Sequence, residues 1–155
     1  MASQRACVVF EFAQGGQLLV QLRSLKKPTR PGKWDISVAG HVSAGQTSKE
    51  AAIREIQEEI GVSIDPIDLE FLFLIRTEKD GSKSGLINRE FQDVYLVKKD
   101  LDISKLVLQE SEVQQVRYIG IDELKQWVKE NKSDLGPHPE EYAKLFEVLD
   151  QLKTS

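Results

Sequence analysis

The order of apolar and polar positions predicts a chain that mixes strands with helices. β-Branched and aromatic residues concentrate in six segments that we interpret as strands, at 5–12, 18–23, 34–40, 69–77, 88–98 and 113–121. Apolar residues recur every three or four positions after Thr47, after Asp122 and across 140–152, which indicates amphipathic helices. Because strands and helices do not alternate regularly, the sequence predicts an α+β fold and not a doubly wound parallel sheet.

Several local features give more detailed predictions. Thr47 or Ser48 can cap the first helix, and Gly61 is placed to end it. The near-continuous apolar run at 69–77 predicts a strand that is buried on both faces. The apolar residues of 88–98 change parity, which a bulge near Gln92 would explain. Asp122 is expected to cap the second helix.

The composition is that of an ordinary globular protein. Of the 155 residues, 40% are hydrophobic and 30% are charged, and the formal net charge is −4. This length fits one domain, and neither a linker nor a repeat divides the chain, so we expect a single domain over 1–155. The acidic balance argues against nucleic acid or an anionic membrane as the main partner. Without a long apolar run or a signal-peptide pattern, a cytoplasmic location is expected.

The single cysteine, Cys7, excludes an internal disulfide and fits a reducing compartment. It lies in the first predicted strand, among apolar residues. Lone buried cysteines behave mostly as small hydrophobic side chains, so we expect Cys7 to have a structural role.

Three glutamates cluster on one flank of the helix that follows Thr47. Glu55, Glu58 and Glu59 are spaced so that their carboxylates lie close together and repel. One interpretation is a solvated acidic face. The other is a site for a hard divalent cation such as Mg²⁺, which prefers carboxylate oxygen and also binds the phosphates of substrates.

The stretch that contains these glutamates resembles the Nudix box, G-x5-E-x7-R-E-U-x-E-E-x-G-U, in which U is an aliphatic residue. The matching positions are Gly40, Arg54-Glu55-Ile56, Glu58-Glu59 and Gly61-Val62. One position departs, because Gln46 stands where the box has its first glutamate. An amide at this position can accept a hydrogen bond from Arg54 but adds no charge.

The resemblance implies the Nudix α/β/α sandwich with a mixed sheet. It also implies a hydrolase that uses Mg²⁺ or Mn²⁺ to cleave a diphosphate linkage in a nucleoside diphosphate derivative, such as a nucleotide or a nucleotide sugar. By this resemblance the metal would be held by the backbone of one residue and by three side chains, Gly40, Glu55, Glu58 and Glu59. The catalytic residues would be Glu55, Glu58, Arg54 and a second acid from outside the box, with Glu90 the first candidate and Glu112 the reserve.

A basic loop precedes the box, at residues 24–33, in an otherwise acidic protein. It could hold the phosphates of the substrate through Arg23, Arg30 and Lys33. The alternative is a loop that is merely solvated, which has the same appearance in sequence. The substrate is therefore expected to be a phosphorylated small molecule, while its identity and the oligomeric state, with a homodimer as one option, stay open.

Two segments, WDISVAGH at 34–41 and NREFQDVYLV at 88–97, resemble the isopentenyl-diphosphate isomerase-like Nudix proteins. The essential cysteine of the true isomerases falls on Ala39, Cys7 is distant in sequence, and no histidine precedes His41. Isomerase activity is therefore not expected. The alternative to a hydrolase is a nucleotide-binding sensor with weak or lost catalysis, which Gln46 favours.

Overall fold

The computed structural model describes residues 2–36, 38–81, 86–130, 134–136 and 138–154. A seven-stranded mixed sheet lies between helices, as the sequence predicts. The strands are β1 (Ala2–Glu11), β2 (Gln17–Arg23), β3 (Trp34–Asp35), β4 (Val38–His41), β5 (Glu70–Gly81), β6 (Leu86–Lys98) and β7 (Val113–Gly120). The helices are α1 (Ser48–Ile60), α2 (Ile121–Lys129) and α3 (Pro139–Thr154), with short 3-10 turns at Pro66–Asp68 and Ile103–Lys105.

The sheet is organised around β1, which is parallel to β6 along its whole length. The other edge of β1 is shared by two strands. It pairs with β4 between Arg5 and Val8, and with β2 only at Glu11. β7 pairs with β2, and β5 is the outer neighbour of β6. β2 and β4 are therefore paired with different parts of the same edge of β1, and the sheet splits between these two strands.

The core has two layers because successive side chains of a strand point to opposite faces. On one face, Val9 and Leu18 belong to the cluster that contains Leu124 of α2 and Leu145 of α3. On the other face, Phe10 belongs to the cluster that contains Ile56, Ile60 and further apolar residues of α1. Helices thus cover both faces of the mixed sheet, which confirms the predicted α/β/α sandwich.

The ends of α1 follow the prediction. The Thr47 side chain accepts a hydrogen bond from the backbone N–H of Glu50, and Gly61 ends the helix at φ 71°. This positive φ suits glycine because a Cβ would be strained there. The prediction for Asp122 is wrong, since Gly120 precedes α2 as its N-cap and Asp122 lies in the first turn. A backbone cap of this kind leaves no side-chain signal.

Three further predictions require correction. The segment 34–40 forms two short strands, β3 and β4, and its Ser37 lies outside the described residues. The run at 69–77 is not buried on both faces, because β5 is an edge strand on which Phe71 and Leu74 are 54% and 53% exposed. The irregularity of pairing lies on β5 between Phe71 and Phe73, and not near Gln92.

Among the described residues, no helix has the length and the apolar character that a membrane-spanning helix needs.

Candidate active site

A cleft of about 1150 Å³ opens where the sheet splits between β2 and β4. Its walls come from the strands β1 to β6, from α1, from the loop after β2, from the segment before β7 and from the beginning of α3. The cleft brings together all but one of the predicted site residues, namely Arg23, Arg30, Gly40, Arg54, Glu55, Glu58, Glu59 and Glu90. The exception is Lys33, which does not line it. Lys27 and Arg5, which were not singled out as site residues, do.

The three glutamates of α1, which we call the α1 carboxylates, differ in burial. Glu58 is exposed, Glu55 is half-buried and Glu59 is only 5% exposed. The Oε2 atom of Glu59 has no hydrogen-bond partner among the described residues. Burial, and then the nearby carboxylates of Glu55 and Glu112, raise the pKa of Glu59 to about 8. The Lys27 charge and a side-chain hydrogen bond with Gln21 oppose this rise in pKa but do not offset it, so the buried acid is only partly compensated.

Gly40 lies against the α1 carboxylates because β4 packs on α1. A Cβ at position 40 would lie 2.1 Å from Cδ of Glu55 and 2.3 Å from its Oε1. Such contacts are far too short for any side chain, so the Glu55 carboxylate can occupy this position only beside a glycine. Glu55 itself has a raised pKa, first because of burial, while the Arg54 guanidinium opposes that effect.

Arg54 connects α1 to the loop before it. Its Nη2 donates to the backbone oxygen of His41 at 3.0 Å and to Oε1 of Glu55 at 3.1 Å. Its Nη1 lies 3.5 Å from Oγ of Ser43. The amide oxygen of Gln46 accepts from the backbone N–H of Ser43 at 3.3 Å, instead of from Arg54 as the sequence suggested. A neutral side chain at 46 attracts the guanidinium weakly, and Arg54 is therefore held by the loop backbone and by Glu55.

Two acids outside the box lie in the same cleft. Glu90, on β6, accepts a hydrogen bond at 2.8 Å from Nε2 of Gln92. Glu112, the reserve candidate, forms an ion pair at 2.5 Å with Nζ of Lys27. The segment before Glu112 is fastened to the end of α1, since the N–H of Gln109 donates to the backbone oxygen of Glu59 at 2.9 Å. Both candidates for the second acid therefore line the cleft, and their roles stay predictions.

The comparisons with known proteins agree with this geometry. The family model of the NUDIX domain matches residues 2–141. The chain belongs to the Nudix family. It is 40% identical over 139 residues to Nudix hydrolase 3 of Arabidopsis thaliana, covering 87% of this chain and 18% of that protein. It is 31% identical over 133 residues to an isopentenyl-diphosphate Delta-isomerase of Brevibacterium linens, covering 79% of this chain and 70% of that protein.

A solved structure gives the same fold. The MutT protein from Methanosarcina mazei Go1 matches with a TM-score of 0.71 and 17% identity, over 99% of this chain and 96% of that one. At this low identity the match supports the Nudix architecture. Because the chain spans only 18% of the length of its plant relative, that relative's activity is not transferred from the match alone.

The Nudix fold brings Cys7 next to a position that matters for the isomerase comparison. Cys7 of β1 pairs directly with Ala39 of β4, and both residues line the cleft. Their distance in sequence is therefore not a distance in space. The thiol is 2% exposed, lies 3.6 Å from Oε1 of Gln92, and has its pKa raised mainly by burial. Its burial confirms the expected position in the core, while its role is a prediction.

The residues of the box suit a divalent cation in several respects. Glu59 presents a buried oxygen that lacks a partner, Glu55 is pressed against Gly40, and all the donors are hard oxygen atoms. Among the described residues, no three acidic, histidine or cysteine side chains already converge as a closed metal-binding group. The fit therefore rests on the unpartnered oxygen of Glu59 and on the carboxylates of Glu55 and Glu58, which share the Arg54 guanidinium. These three side chains would hold the cation together with the Gly40 backbone.

Sequence reasoning missed a second group of polar residues in the cleft. These residues, which we call the α3 cluster, are Arg30, Asp35, His138 and Glu141. Only Arg30 was singled out from the sequence. The others come from β3 and from the beginning of α3, which looked like ordinary core elements. No local spacing links Arg30 and Asp35 to His138 and Glu141, because the fold brings these two distant parts of the chain together.

Proposed function

We propose that this chain is a metal-dependent Nudix hydrolase that cleaves a diphosphate linkage in a nucleoside diphosphate derivative. The observation that carries the proposal is Glu59, a buried carboxylate with an unpartnered oxygen beside Glu55 and Glu112. Burying acids together is costly unless a ligand compensates their charge. A cation that is held by carboxylates and that also binds phosphate would do so.

The side chains of the site have different roles in the proposed reaction. When it is bound, Mg²⁺ or Mn²⁺ neutralises charge on the phosphates and lowers the pKa of a coordinated water. Glu55, Glu58 and Glu59 would hold it, together with the backbone oxygen of Gly40. Arg54 orients Glu55 through its hydrogen bond, and the loop before α1 fixes Arg54 in turn.

Other groups in the cleft suit the substrate. Lys27 and Arg23 line it and supply positive charge for the phosphates, whereas Arg30 lies beside Asp35 and His138. Arg23 is also structural, because its Nη2 donates to the backbone oxygen of Thr29 at 2.8 Å. The proton of the attacking water goes to a carboxylate, for which Glu90 and Glu112 are the candidates outside the box. The substrate on this account is a phosphorylated small molecule.

The test is an assay of phosphate and pyrophosphate release over a panel of nucleoside diphosphate derivatives, with Mg²⁺ or Mn²⁺. Glu59→Gln is compared with wild type, and Glu147→Gln, at an exposed position of α3, is the matched control. We expect turnover in wild type and in the control, and a loss of about hundredfold or more in Glu59→Gln. The panel includes isopentenyl diphosphate, because Cys7 lies beside Ala39.

The alternative is a nucleotide-binding sensor, which is favoured by Gln46 and by its hydrogen bond to the loop backbone instead of to Arg54. Binding of nucleotide and metal without turnover on any panel member would contradict the hydrolase and support the sensor. Conversion of isopentenyl diphosphate to its isomer would contradict both.

A further inference from the structure

The α3 cluster lies in the same cleft as the α1 carboxylates but has different neighbours. Asp35 of β3 is 8% exposed. Its Oδ2 lies 3.8 Å from Nε2 of His138 and 3.9 Å from Nη1 of Arg30. Arg30 and His138 are also in direct side-chain contact. Two basic side chains thus already accompany the Asp35 carboxylate.

The backbone of this region is fixed by the fold. The N–H of Trp34 donates to the backbone oxygen of Asp134, and the N–H of Gly136 donates to the backbone oxygen of Trp34. The hydroxyl of Tyr142 donates at 2.7 Å to the backbone oxygen of Gly136. These bonds attach the segment before α3 to β3, so that the first turn of α3 forms part of the cleft wall.

Arg30 is held in an uncommon conformation. Its φ is 49°, the one positive value for a non-glycine residue in the described part of the chain. Such a backbone costs energy and persists where surrounding contacts impose it. Here its backbone oxygen accepts from Nε of Arg23 at 3.1 Å, and its side chain contacts His138. The loop therefore places the guanidinium in the cluster instead of leaving it in solvent.

Glu141 is the unsatisfied member. Its side chain is 7% exposed, it lines the cleft, and its Oε1 makes no hydrogen bond to any described residue. Leaving a buried acceptor unpaired costs about 1–3 kcal/mol, so a native structure that retains one requires an explanation. A ligand in the cleft that donates a hydrogen bond would remove this cost.

The charges restrict the type of ligand. A phosphate would be repelled by the two nearly buried carboxylates, Asp35 and Glu141. A cation would meet Arg30 and also Arg5, whose charge reaches Glu141. A neutral group with O–H or N–H donors satisfies the free oxygen without adding charge to this part of the cleft.

We propose that the α3 cluster binds the non-phosphate part of the substrate, with Glu141 and Asp35 accepting hydrogen bonds from its hydroxyl or amino groups. This inference rests on the proposed function, because it assigns the substrate's diphosphate to the cation that the α1 carboxylates would hold, and its nucleoside to the α3 cluster. Glu141 becomes a determinant of specificity and not of the chemical step.

The experiment measures binding by calorimetry in the presence of Mg²⁺, with ligands that cannot be cleaved. The probes are methylenebisphosphonate and the α,β-methylene analogue of ADP. Two further analogues lack donors, one with a dideoxyribose and one with unsubstituted purine, which has no amino group, in place of adenine. The variants are Glu141→Leu, which removes both acceptor oxygens, and Glu141→Gln, which keeps one. Glu147→Leu makes the same change on the exposed face of α3.

We expect the ADP analogue to bind wild type more tightly than the bare bisphosphonate. Glu141→Leu should weaken binding of the ADP analogue about tenfold, because one hydrogen bond to a buried carboxyl group is lost. Glu141→Gln should lie in between, and binding of the bisphosphonate should not change. If Glu141→Leu does not weaken binding of the dideoxy analogue, a sugar hydroxyl is the donor. If the leucine variant does not weaken the purine analogue, the amino group of the base is the donor.

The proposal is overturned if the nucleoside adds no affinity in wild type. It is also overturned if Glu141→Leu weakens every probe equally or weakens none of them. The same holds if Glu141→Leu weakens both donor-lacking analogues as much as it weakens the ADP analogue. Glu141→Gln is nearly the same size as glutamate, so it covers the case in which the leucine variant fails to fold. Because no probe is cleaved, failure of the proposed hydrolysis appears separately, as absent turnover in wild type.

Discussion

The cleft contains two buried glutamates, Glu59 and Glu141, that each have an unpartnered oxygen but differ in their surroundings. The pKa of Glu59 is raised by two further acids, Glu55 and Glu112, and Lys27 is the one positive charge among its main influences. Glu141 has Asp35 as its acidic neighbour, together with His138, Arg5 and Arg30. The nearby charges, and not the side chain itself, therefore distinguish a site suited to a cation from one suited to a neutral donor.

The largest effect is expected from Gly40→Ala, which disturbs only the α1 side of this comparison. The new Cβ would lie 2.1 Å from Cδ of Glu55, so the carboxylate must move. Because displacement of a catalytic group by about 1 Å can cost on the order of a hundredfold in rate, we expect a loss of that size. Steady-state turnover on the best panel substrate measures it.

The matched control is Gly120→Ala, since a Cβ there meets no atom within 4 Å. Equal activity of the two alanine variants would show that the contact between Gly40 and Glu55 does not matter for function.

The pH dependence of stability should separate the two glutamates. The folded-state pKa of Glu141 is raised from 4.5 to about 7, so the folded protein binds more protons than the unfolded chain between these values. Stability therefore falls as pH rises through this window. Glu141→Gln removes the carboxyl. Relative to wild type, we expect this variant to gain on the order of 3 kcal/mol of stability as the pH rises from one end of the window to the other.

Urea unfolding at several pH values, without metal and with saturating Mg²⁺, gives the measurement. For Glu141 the gain should be the same with and without Mg²⁺. For Glu59→Gln, where the folded-state pKa is about 8, the gain at high pH should appear only without the metal. If Mg²⁺ changes the stability gain of both variants equally, the proposed difference between the two parts of the cleft is wrong.

A smaller effect is expected from Thr47→Ala, which removes the N-cap of α1. The Thr47 hydroxyl accepts from the backbone N–H of Glu50 at 3.1 Å, and loss of such a cap costs about 1 kcal/mol. Urea unfolding should show this cost, and metal binding should weaken with it, while binding at the α3 cluster is unchanged. Unchanged stability would mean that α1 does not depend on its cap.

The smallest change is expected from Gln46→Glu, which restores the glutamate of the Nudix box. A carboxylate at 46 attracts the Arg54 guanidinium, which is now held by the His41 backbone oxygen and Glu55. We expect tighter Mn²⁺ binding and turnover that is higher by a factor of a few. A variant with lower turnover than wild type would show that the amide is adapted to its loop.

Much of the α1 side could be predicted from the sequence because its information is local. Thr47 and Gly61 mark the ends of one helix, and the spacing of Glu55, Glu58 and Glu59 places them on one flank. The α3 cluster had no such signal. Asp35 is distant in sequence from His138 and Glu141, and contacts such as the hydrogen bonds between Trp34 and the segment before α3 bring them together.

Errors in the predicted fold have a similar cause. The apolar run containing Phe71 and Leu74 looks like a central strand, yet strand order places it at an edge of the sheet, and sequence does not encode strand order locally. Cys7 and Ala39 are far apart in the chain but are paired across β1 and β4. The mixed sheet, the helices and the family could be predicted, because hydrophobic periodicity and the box are properties of short segments.

The central claim is that the α1 carboxylates hold a divalent cation, and a titration with Mn²⁺ tests it most directly. Electron paramagnetic resonance counts free Mn²⁺ in the presence of wild type, Glu59→Gln and Glu147→Gln. The account predicts binding by wild type and by Glu147→Gln, and affinity weakened about tenfold or more in Glu59→Gln. Binding by Glu59→Gln that equals wild type, or no binding by wild type, would contradict it.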